Sequence, residues 1–319
     1  MKDELKSIFT EHWKYLAVNT ACELEIFDKI FEGQNSSDKL IQNNQWNLKT
    51  LSHLLGFLIT NEYLIEGENQ TFNLSPKANL LRKNNPDGLY YACLNWSGEH
   101  LLAWQNLKYS IETGKSSFEH VYKKPYFDYL NDHPEKLMKY HKAMYEYARD
   151  DYKNLPKDMN FGIQRSIMDV GGGYGAAIEL IASTYPDLEC FLFDLETVLL
   201  KTSIKGVKNI SGDFFKSIPT ISEAIILSRV LHDWNNEKAS VILQNCFEAL
   251  PSNGTLYVIE NCIDLIQSDL SLLSLNMTAM CESFERSKSQ YIELCKNSGF
   301  KFNTHKKLNN LQSILIFTK

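Results

Sequence analysis

The stretch "DVGGGYGAA", residues 169–177, separates a short apolar run from an apolar segment with the periodicity of a helix. A glycine-rich turn between a buried strand and a helix lets backbone N–H groups come close to a bound ligand. The spacing fits the dinucleotide pattern G-x-G-x-x-G/A through Gly171, Gly173 and Ala176. It fits G-x-G-x-G equally well, with Gly175 as the third glycine. The turn therefore predicts a ligand with an adenosyl group and leaves it open whether this is a nicotinamide dinucleotide or another adenosyl cofactor.

Strands and helices alternate around this turn, from residue 165 onward. Strands are predicted at "SIMDV", "ECFLFD", "VKNIS", "AIILSRV" and "TLYVIE". The alternation predicts an α/β fold, in which a parallel sheet is covered by helices on both faces. The chain then ends in a predicted hairpin, "FKFNTHKKL" and "SILIFTK", where a dinucleotide-binding domain would add further parallel strands. This ending favours an adenosyl cofactor other than a dinucleotide.

Two carboxylates follow the next predicted strands. Asp194 closes the second strand about 20 residues after the glycine turn, where a carboxylate can hold the hydroxyls of a ribose. The third strand is followed by Gly212-Asp213-Phe214, whose carboxylate could meet an adenine amino group while the phenylalanine packs on the ring. The alternative for Gly-Asp is an ordinary turn.

The N-terminal part predicts helices over 16–31 and 47–64, with Asn47 as the N-cap of the second helix. A hairpin with its turn at Glu68-Asn69 follows, and Ser75-Pro76 opens another helix. Helix, helix and hairpin in this order are typical of a winged helix.

A winged helix raises the alternative of a DNA-binding regulator. The presumed recognition helix offers only Lys49 and His53 as cations, and the net charge of the chain is -6. Binding to a phosphate backbone needs several Lys or Arg contacts. We therefore expect no nucleic-acid partner and interpret this part as an oligomerisation platform.

The composition bounds the class of protein further. The seven cysteines are scattered and never spaced C-x-x-C, which fits reduced thiols in the cytoplasm and offers no zinc framework. Histidine spacing gives no metal motif either, so no metal site is predicted. No apolar run approaches the roughly 18–20 residues that span a bilayer, and the N-terminus lacks the apolar core of a secretory signal. A cytoplasmic protein without a membrane partner is expected.

The stretch "ILSRVLHDWNNEK", residues 226–238, stops a buried apolar run on His232-Asp233, followed by Trp234. Open α/β sheets bind ligands at the carboxyl ends of their strands, where this histidine is placed. A neutral imidazole there can serve as a general base, and the alternative is a strand cap. Asp233 and Trp234 are interpreted as structural residues that turn and pack the segment.

Together these motifs resemble a known family, the S-adenosylmethionine-dependent O-methyltransferases of the caffeic acid and hydroxyindole type. The resemblance is carried by "DVGGGYG", "GDFF", "LHDWNNEKASVILQNCFEALPSNG", "IEN" and "ER", in that order. In the N-terminal half, "ACELEIFDKI", "LSPKANLL" and "HPEKLMKYHKAM" are similar to the family as well. The resemblance covers essentially the whole chain.

The resemblance implies a Rossmann-like class I methyltransferase domain over 159–319 that uses S-adenosyl-L-methionine. A mostly helical winged-helix domain over 1–100 would form a homodimer. A helical linker over 101–158, rich in aromatic residues, would contribute to the pocket of a small-molecule acceptor from secondary metabolism.

The resemblance also implies roles for individual residues. His232 would be the general base, flanked by Glu260 and Glu285. The cofactor would be held by Asp169, Gly171, Gly173, Asp194, Leu195, Asp213, Phe214 and Ser228.

The chemistry of O-methylation agrees with this set. A phenol with a pKa of about 10 is mostly protonated near pH 7, and an imidazole can take its proton. One departure from the family stands out, because Glu282 and Ser283 occupy the place of a usual glycine pair. N- or C-methylation, or a relative that binds the cofactor for other chemistry, remain as alternatives to O-methylation of an aromatic hydroxyl.

Overall fold

A computed structural model of the chain describes residues 2–42, 44–265 and 269–319. The chain divides into two compact units, with the division between Gly98 and Glu99. Within the described residues, no helix combines the length and the apolar character needed to cross a membrane.

The first unit is mainly helical and carries one small hairpin. Its elements are α1 Lys2–Ile8, α2 Glu11–Glu23, α3 Ile26–Phe31, α4 Ser37–Gln42, α5 Leu48–Thr60, β1 Leu64–Glu66, β2 Phe72–Leu74, α6 Pro76–Asn79 and α7 Tyr90–Asn95. The strands β1 and β2 pair antiparallel, with Leu64 opposite Leu74.

Two predicted helix starts in this unit are confirmed. The side chain of Asn47 accepts a hydrogen bond from the amide of Thr50 at 3.0 Å. The hydroxyl of Ser75 likewise accepts from the amide of Ala78 at 3.3 Å, and Pro76 occupies the first turn of α6. Each cap satisfies an amide that the first turn of a helix leaves without a backbone partner.

The single helix predicted over 16–31 is wrong, because the chain breaks between α2 and α3. Glu25 adopts a left-handed conformation with φ 53°. The buried residues Cys22 and Phe27 are five positions apart, which would place them about 140° apart around a straight helix. The break brings both side chains into one apolar core. The free energy gained by this burial outweighs the conformational cost at Glu25.

The second unit is α/β. Its strands are β3 Ser166–Val170, β4 Glu189–Asp194, β5 Val207–Ser211, β6 Ala224–Ser228, β7 Thr255–Asn261, β8 Lys301–Lys307 and β9 Gln312–Thr318. Its helices are α8 Glu99–Gln105, α9 Leu107–Thr113, α10 Ser117–Tyr122, α11 Tyr126–Asn131, α12 Pro134–Asp151, α13 Leu155–Asp158, α14 Ala176–Thr184, α15 Glu196–Leu199, α16 Asn236–Ala249, α17 Ser271–Cys281 and α18 Lys288–Asn297. The helix α18 begins with a capping box, in which Ser287 and Gln290 each accept a hydrogen bond from the backbone amide of the other.

The seven strands form one sheet in the order β5-β4-β3-β6-β7-β9-β8. The strands β3 to β7 are parallel, and β9 runs antiparallel between β7 and β8. Ile167 belongs to the apolar cluster on one face, whereas Met168 belongs to the cluster on the other. The predicted α/β fold with both faces of the sheet covered is therefore confirmed. The order of strands reverses between β3 and β6, which is where open sheets of this kind hold ligands.

Candidate functional site

The residues that the sequence points to lie at one edge of the sheet. The glycine turn follows β3, Asp194 ends β4, Ser228 ends β6 and Glu260 is the last residue but one of β7. Because these strands are parallel neighbours, their carboxyl ends meet at this edge. Asp213 follows β5 at the same edge.

The glycine turn has a backbone that other residues would not easily adopt. Gly171, Gly173 and Gly175 have φ angles of 70°, 59° and 78°, in the left-handed region that favours glycine. A Cβ atom on Gly171 would also lie 3.2 Å from the ring of Phe214. The turn thus keeps its backbone accessible at the edge where a ligand would approach.

Asp194 ties the glycine turn to β4. One carboxylate oxygen accepts a hydrogen bond from the amide of Gly173 at 2.8 Å, and the other accepts from the amide of Leu195 at 2.7 Å. Burial raises the pKa of Asp194 to about 6, although the hydrogen bonds from both backbone amides favour the ionised form. The sequence predicts that this carboxylate holds a ribose, and in the structure it fixes the glycine turn.

Asp169 is buried behind the turn, with its side chain 1% exposed. Among the described residues, its Oδ1 atom has no hydrogen-bond partner. Burial and the neighbouring Asp194 raise the pKa of Asp169 to about 7. An orphaned acceptor here fits a ligand that brings an N–H group or a positive charge to the turn.

Three further residues assigned to the cofactor lie around the turn. Asp213 accepts a hydrogen bond from the amide of Phe215 at 2.9 Å. The ring of Phe214 lies beside Gly171. The hydroxyl of Ser228 donates to the phenolic oxygen of Tyr152 at 2.7 Å. The donor and acceptor pattern and the aromatic surface fit an adenosyl ligand.

His232 lies in a short 3₁₀ turn, Leu231–Asp233, directly beyond β6. Its Nδ1 atom donates a hydrogen bond to Oε1 of Glu285 at 2.9 Å, and the amide of the Asn261 side chain donates to the same oxygen at 3.3 Å. The residue is only 4% exposed. This bond fixes the tautomer and leaves Nε2 as the nitrogen that can accept a proton.

Glu260 has a different task from Glu285. Its Oε1 atom accepts hydrogen bonds from the backbone amides of Leu231 at 2.9 Å and of His232 at 3.3 Å. The structure thus brings both glutamates to His232, one on its ring and one on its backbone.

The surroundings of His232 control its charge. Burial by itself would lower the pKa of His232, but the carboxylates of Asp233, Glu260 and Glu285 raise it to about 9. The carboxylate of Asp233 lies 3.7 Å from Nε2. The interpretation of Asp233 as a residue that only turns the chain is therefore incomplete, because its charge acts directly on the ring.

Aromatic side chains form a wall with Trp234, which lies two positions after His232 in the chain. The ring of Trp234 lies 5.2 Å from that of Phe127 and 4.8 Å from that of Phe215. Phe127 in turn lies 5.8 Å from Tyr140. These rings come from α11, α12 and the segments after β5 and β6, so part of the aromatic linker packs against the segment that follows His232.

The group of His232, Glu260 and Glu285 also has the residue types of a metal site. Their donor atoms lie within 4.8 Å of one another. Because Glu260 and Glu285 are 28 and 53 positions from His232, no local spacing motif indicates the group, and in the sequence only the family resemblance connected the three residues. One oxygen of each glutamate accepts hydrogen bonds from N–H donors, whereas Oε2 of each has no hydrogen-bond partner among the described residues.

Sequence reasoning missed two residues that hold the turn of His232. The guanidinium of Arg286 donates to the carbonyl oxygens of Leu231 and Trp234 at 2.9 and 2.7 Å. The hydroxyl of Ser283 donates to the same oxygen of Trp234 at 2.9 Å. The quoted "ER" motif was the available signal for Arg286.

Comparison with known proteins gives one family. The model of the O-methyltransferase domain matches residues 104–301. Phenazine O-methyltransferase PhzM of Lysobacter antibioticus is 26% identical over 306 residues, which cover 93% of this chain and 90% of that protein. Caffeic acid 3-O-methyltransferase of Medicago sativa is 31% identical over 248 residues, which cover 73% of this chain and 67% of that protein.

A solved structure shows the same fold. Human N-acetylserotonin methyltransferase, in complex with S-adenosylmethionine, superposes with a TM-score of 0.90 at 21% sequence identity. The match covers all of this chain and 97% of that one.

Proposed function

Since this chain belongs to the O-methyltransferase domain family, we propose that it transfers the methyl group of S-adenosyl-L-methionine to a hydroxyl of a small aromatic metabolite. The general base is His232. The observation that carries the proposal is the buried hydrogen bond from Nδ1 of His232 to Glu285, at the sheet edge that also holds the glycine turn.

The residues around the glycine turn fit the proposed cofactor. S-adenosyl-L-methionine supplies a methyl group that its sulfonium charge activates for transfer. Asp194 holds the ribose, Asp213 and Phe214 receive the adenine, and the orphaned oxygen of Asp169 takes a donor of the methionine part. The human methyltransferase with this fold was solved with the same cofactor.

His232 removes the proton of the acceptor hydroxyl through Nε2. Glu285 keeps the other nitrogen protonated and stabilises the positive charge that forms on the ring. With a pKa of about 9, the imidazole is close in basicity to a phenolate, so proton transfer from a phenol costs little free energy. The base is most effective where the imidazole is neutral, at alkaline pH.

The acceptor is a flat aromatic molecule. The wall formed by Phe127, Tyr140 and Trp234 continues the segment that carries the base, and aromatic rings favour contact with a flat aromatic molecule. The relatives named above act on a phenazine and on caffeic acid, by their names, and both are planar conjugated acceptors. Amines that are already nucleophilic have less need of such a base, which favours O-methylation over N-methylation.

We also propose that the first unit forms a homodimer and binds no DNA. It exposes large apolar side chains in the segment from α1 to α3, including Phe9 at 67%, between α1 and α2, Trp13 at 64% and Phe31 at 61%. A second copy of the chain would bury them. Light scattering gives the mass in solution, and a gel shift with random duplex at low salt tests the regulator alternative.

Calorimetric titration with S-adenosylhomocysteine and with NAD tests the cofactor. We expect saturable binding of the first ligand alone. Transfer of a labelled methyl group to a panel of phenols, catechols and polyphenols, with matched anilines as controls, tests the acceptor class. Labelling of the anilines alone, or NAD binding alone, would refute the proposal.

A further inference from the structure

The guanidinium of Arg286 lies inside the protein beside the turn of His232, with the residue 1% exposed. Its Nη1 atom donates to the carbonyl oxygen of Leu231 at 2.9 Å, and Nη2 donates to that of Trp234 at 2.7 Å. Both Nε and Nη2 donate to Oδ1 of Asn236, at 3.0 and 2.9 Å. One planar group thus fixes the two ends of the turn and the start of α16.

Ser283 forms a further hydrogen bond to the same segment. Its hydroxyl donates to the carbonyl oxygen of Trp234 at 2.9 Å, and the residue is 1% exposed. Ser283 is one of the two residues that replace the glycine pair expected from the family resemblance. A glycine could not form this bond, so the departure adds a constraint on the turn.

Arg286 follows Glu285, the residue that holds the ring of His232. The segment is extended at this point, where Arg286 forms an isolated parallel bridge with Cys262, just beyond β7. Successive side chains of an extended segment point in opposite directions. Two neighbouring residues therefore hold the turn, Glu285 through the ring of His232 and Arg286 through the backbone carbonyls of Leu231 and Trp234.

We propose that Arg286, supported by Ser283, is a positioning residue that sets the orientation of His232 for proton transfer. The inference rests on the proposed function and deepens it. The guanidinium is a rigid fork whose N–H directions match three acceptors at once, whereas a lysine ammonium is a point charge on a flexible stem. A displacement of the base by about 1 Å costs on the order of 10²-fold in rate.

The variant Arg286→Lys keeps the positive charge and removes the planar guanidinium with its several N–H donors. We expect its kcat to fall roughly 10- to 100-fold, with the affinity for S-adenosylhomocysteine unchanged within about twofold. Arg165→Lys is the matched control, because that side chain is 91% exposed, and it should retain full activity.

A double-mutant cycle separates positioning from general structural support. If Arg286 acts through His232, then His232→Ala and the double variant with Arg286→Lys should turn over at equal rates, within about twofold. Turnover is measured at high pH, where the acceptor ionises without a base. Multiplicative losses would overturn the proposal and leave Arg286 as an ordinary part of the core.

Ser283→Ala is the milder variant, which removes one hydrogen bond and decides the question if Arg286→Lys does not fold. The readout is the titration of His232 by NMR, which needs no methyl transfer. A looser turn weakens the bond to Glu285, so the pKa of His232 should fall by about 0.5 or more. An unchanged pKa would refute the positioning role, whereas failure of every acceptor would refute only the proposed function.

Discussion

The carboxylate of Glu260 accepts a hydrogen bond from the backbone amide of His232 at 3.3 Å, and no hydrogen bond joins it to the imidazole ring in the described parts of the chain. The ring is held by Glu285 at 2.9 Å. Two glutamates that look equivalent in the sequence therefore differ in what they can contribute. Glu285 controls the tautomer and basicity directly, whereas Glu260 shapes the turn and acts on the ring only through its charge.

Replacement of His232 by alanine removes the base and leaves the glycine turn intact. We expect turnover at pH 7 to fall by about 10²–10⁴-fold, while the affinity for S-adenosylhomocysteine stays nearly unchanged. Activity should recover partly at high pH, because the acceptor then ionises without help. Initial rates and calorimetric titration measure the two effects. Near-normal turnover at pH 7, with chemistry shown to be rate-limiting, would remove the base-catalysed mechanism.

The dependence of the rate on pH should follow the ionisation of the His232 imidazole. Its pKa is raised to about 9, so the base is mostly protonated below that pH. The rate should therefore rise as the pH increases toward about 9, where the imidazole loses its proton.

The two glutamates should affect this profile unequally. Glu285→Gln removes a carboxylate that favours the protonated imidazole, so the rising limb should move to lower pH and the maximal rate should fall. Glu260→Gln keeps an oxygen that can accept the two hydrogen bonds from the backbone amides, so it should lower the maximal rate less. Glu293→Gln, an exposed change on α18, is the control. Profiles that coincide for all three variants would contradict the assignment of the ring to Glu285.

Asp194 should matter for the cofactor and not for the base. Asp194→Asn removes the charge and disturbs the bonds to Gly173 and Leu195. A hydrogen bond to a charged group contributes about 1.5–3 kcal/mol, so the dissociation constant of S-adenosylhomocysteine should rise roughly 10- to 100-fold. Asp187→Asn, at an exposed position, should leave binding unchanged. An unaltered dissociation constant in Asp194→Asn would place the cofactor elsewhere.

Glu282 carries a conformational cost that a glycine would not. Its φ angle is 56°, in the left-handed region, where a residue with a side chain loses about 1–2 kcal/mol. Glu282→Gly removes this strain but gives the unfolded chain more freedom, which costs about 0.4–1 kcal/mol. We expect a net stabilisation of roughly 0.5–1 kcal/mol in denaturant unfolding. The control Glu293→Gly, inside α18, should destabilise by about 1 kcal/mol.

Local rules were sufficient for much of the fold. The strands β4 and β6 are apolar runs that end on polar residues, and the starts of α5 and α18 are set by caps within three positions. The α/β architecture and the edge of the sheet that carries the predicted residues follow from this pattern, whereas the order of the strands does not. These features depend on backbone hydrogen bonds and on side-chain periodicity, which act over a few residues and are therefore visible in the sequence.

Tertiary structure decided the rest. It placed Glu260 on the backbone of His232, 28 positions away, and Glu285 on its ring, 53 positions away. It also broke the predicted helix at Glu25, because only a bent chain buries both flanking apolar faces. The hydrogen bonds of Arg286 and the position of the Asp233 carboxylate near Nε2 of His232 were likewise decided by the tertiary structure. Such contacts are set by how the sheet and helices pack, since burial makes each polar atom take whichever partner the fold brings within reach.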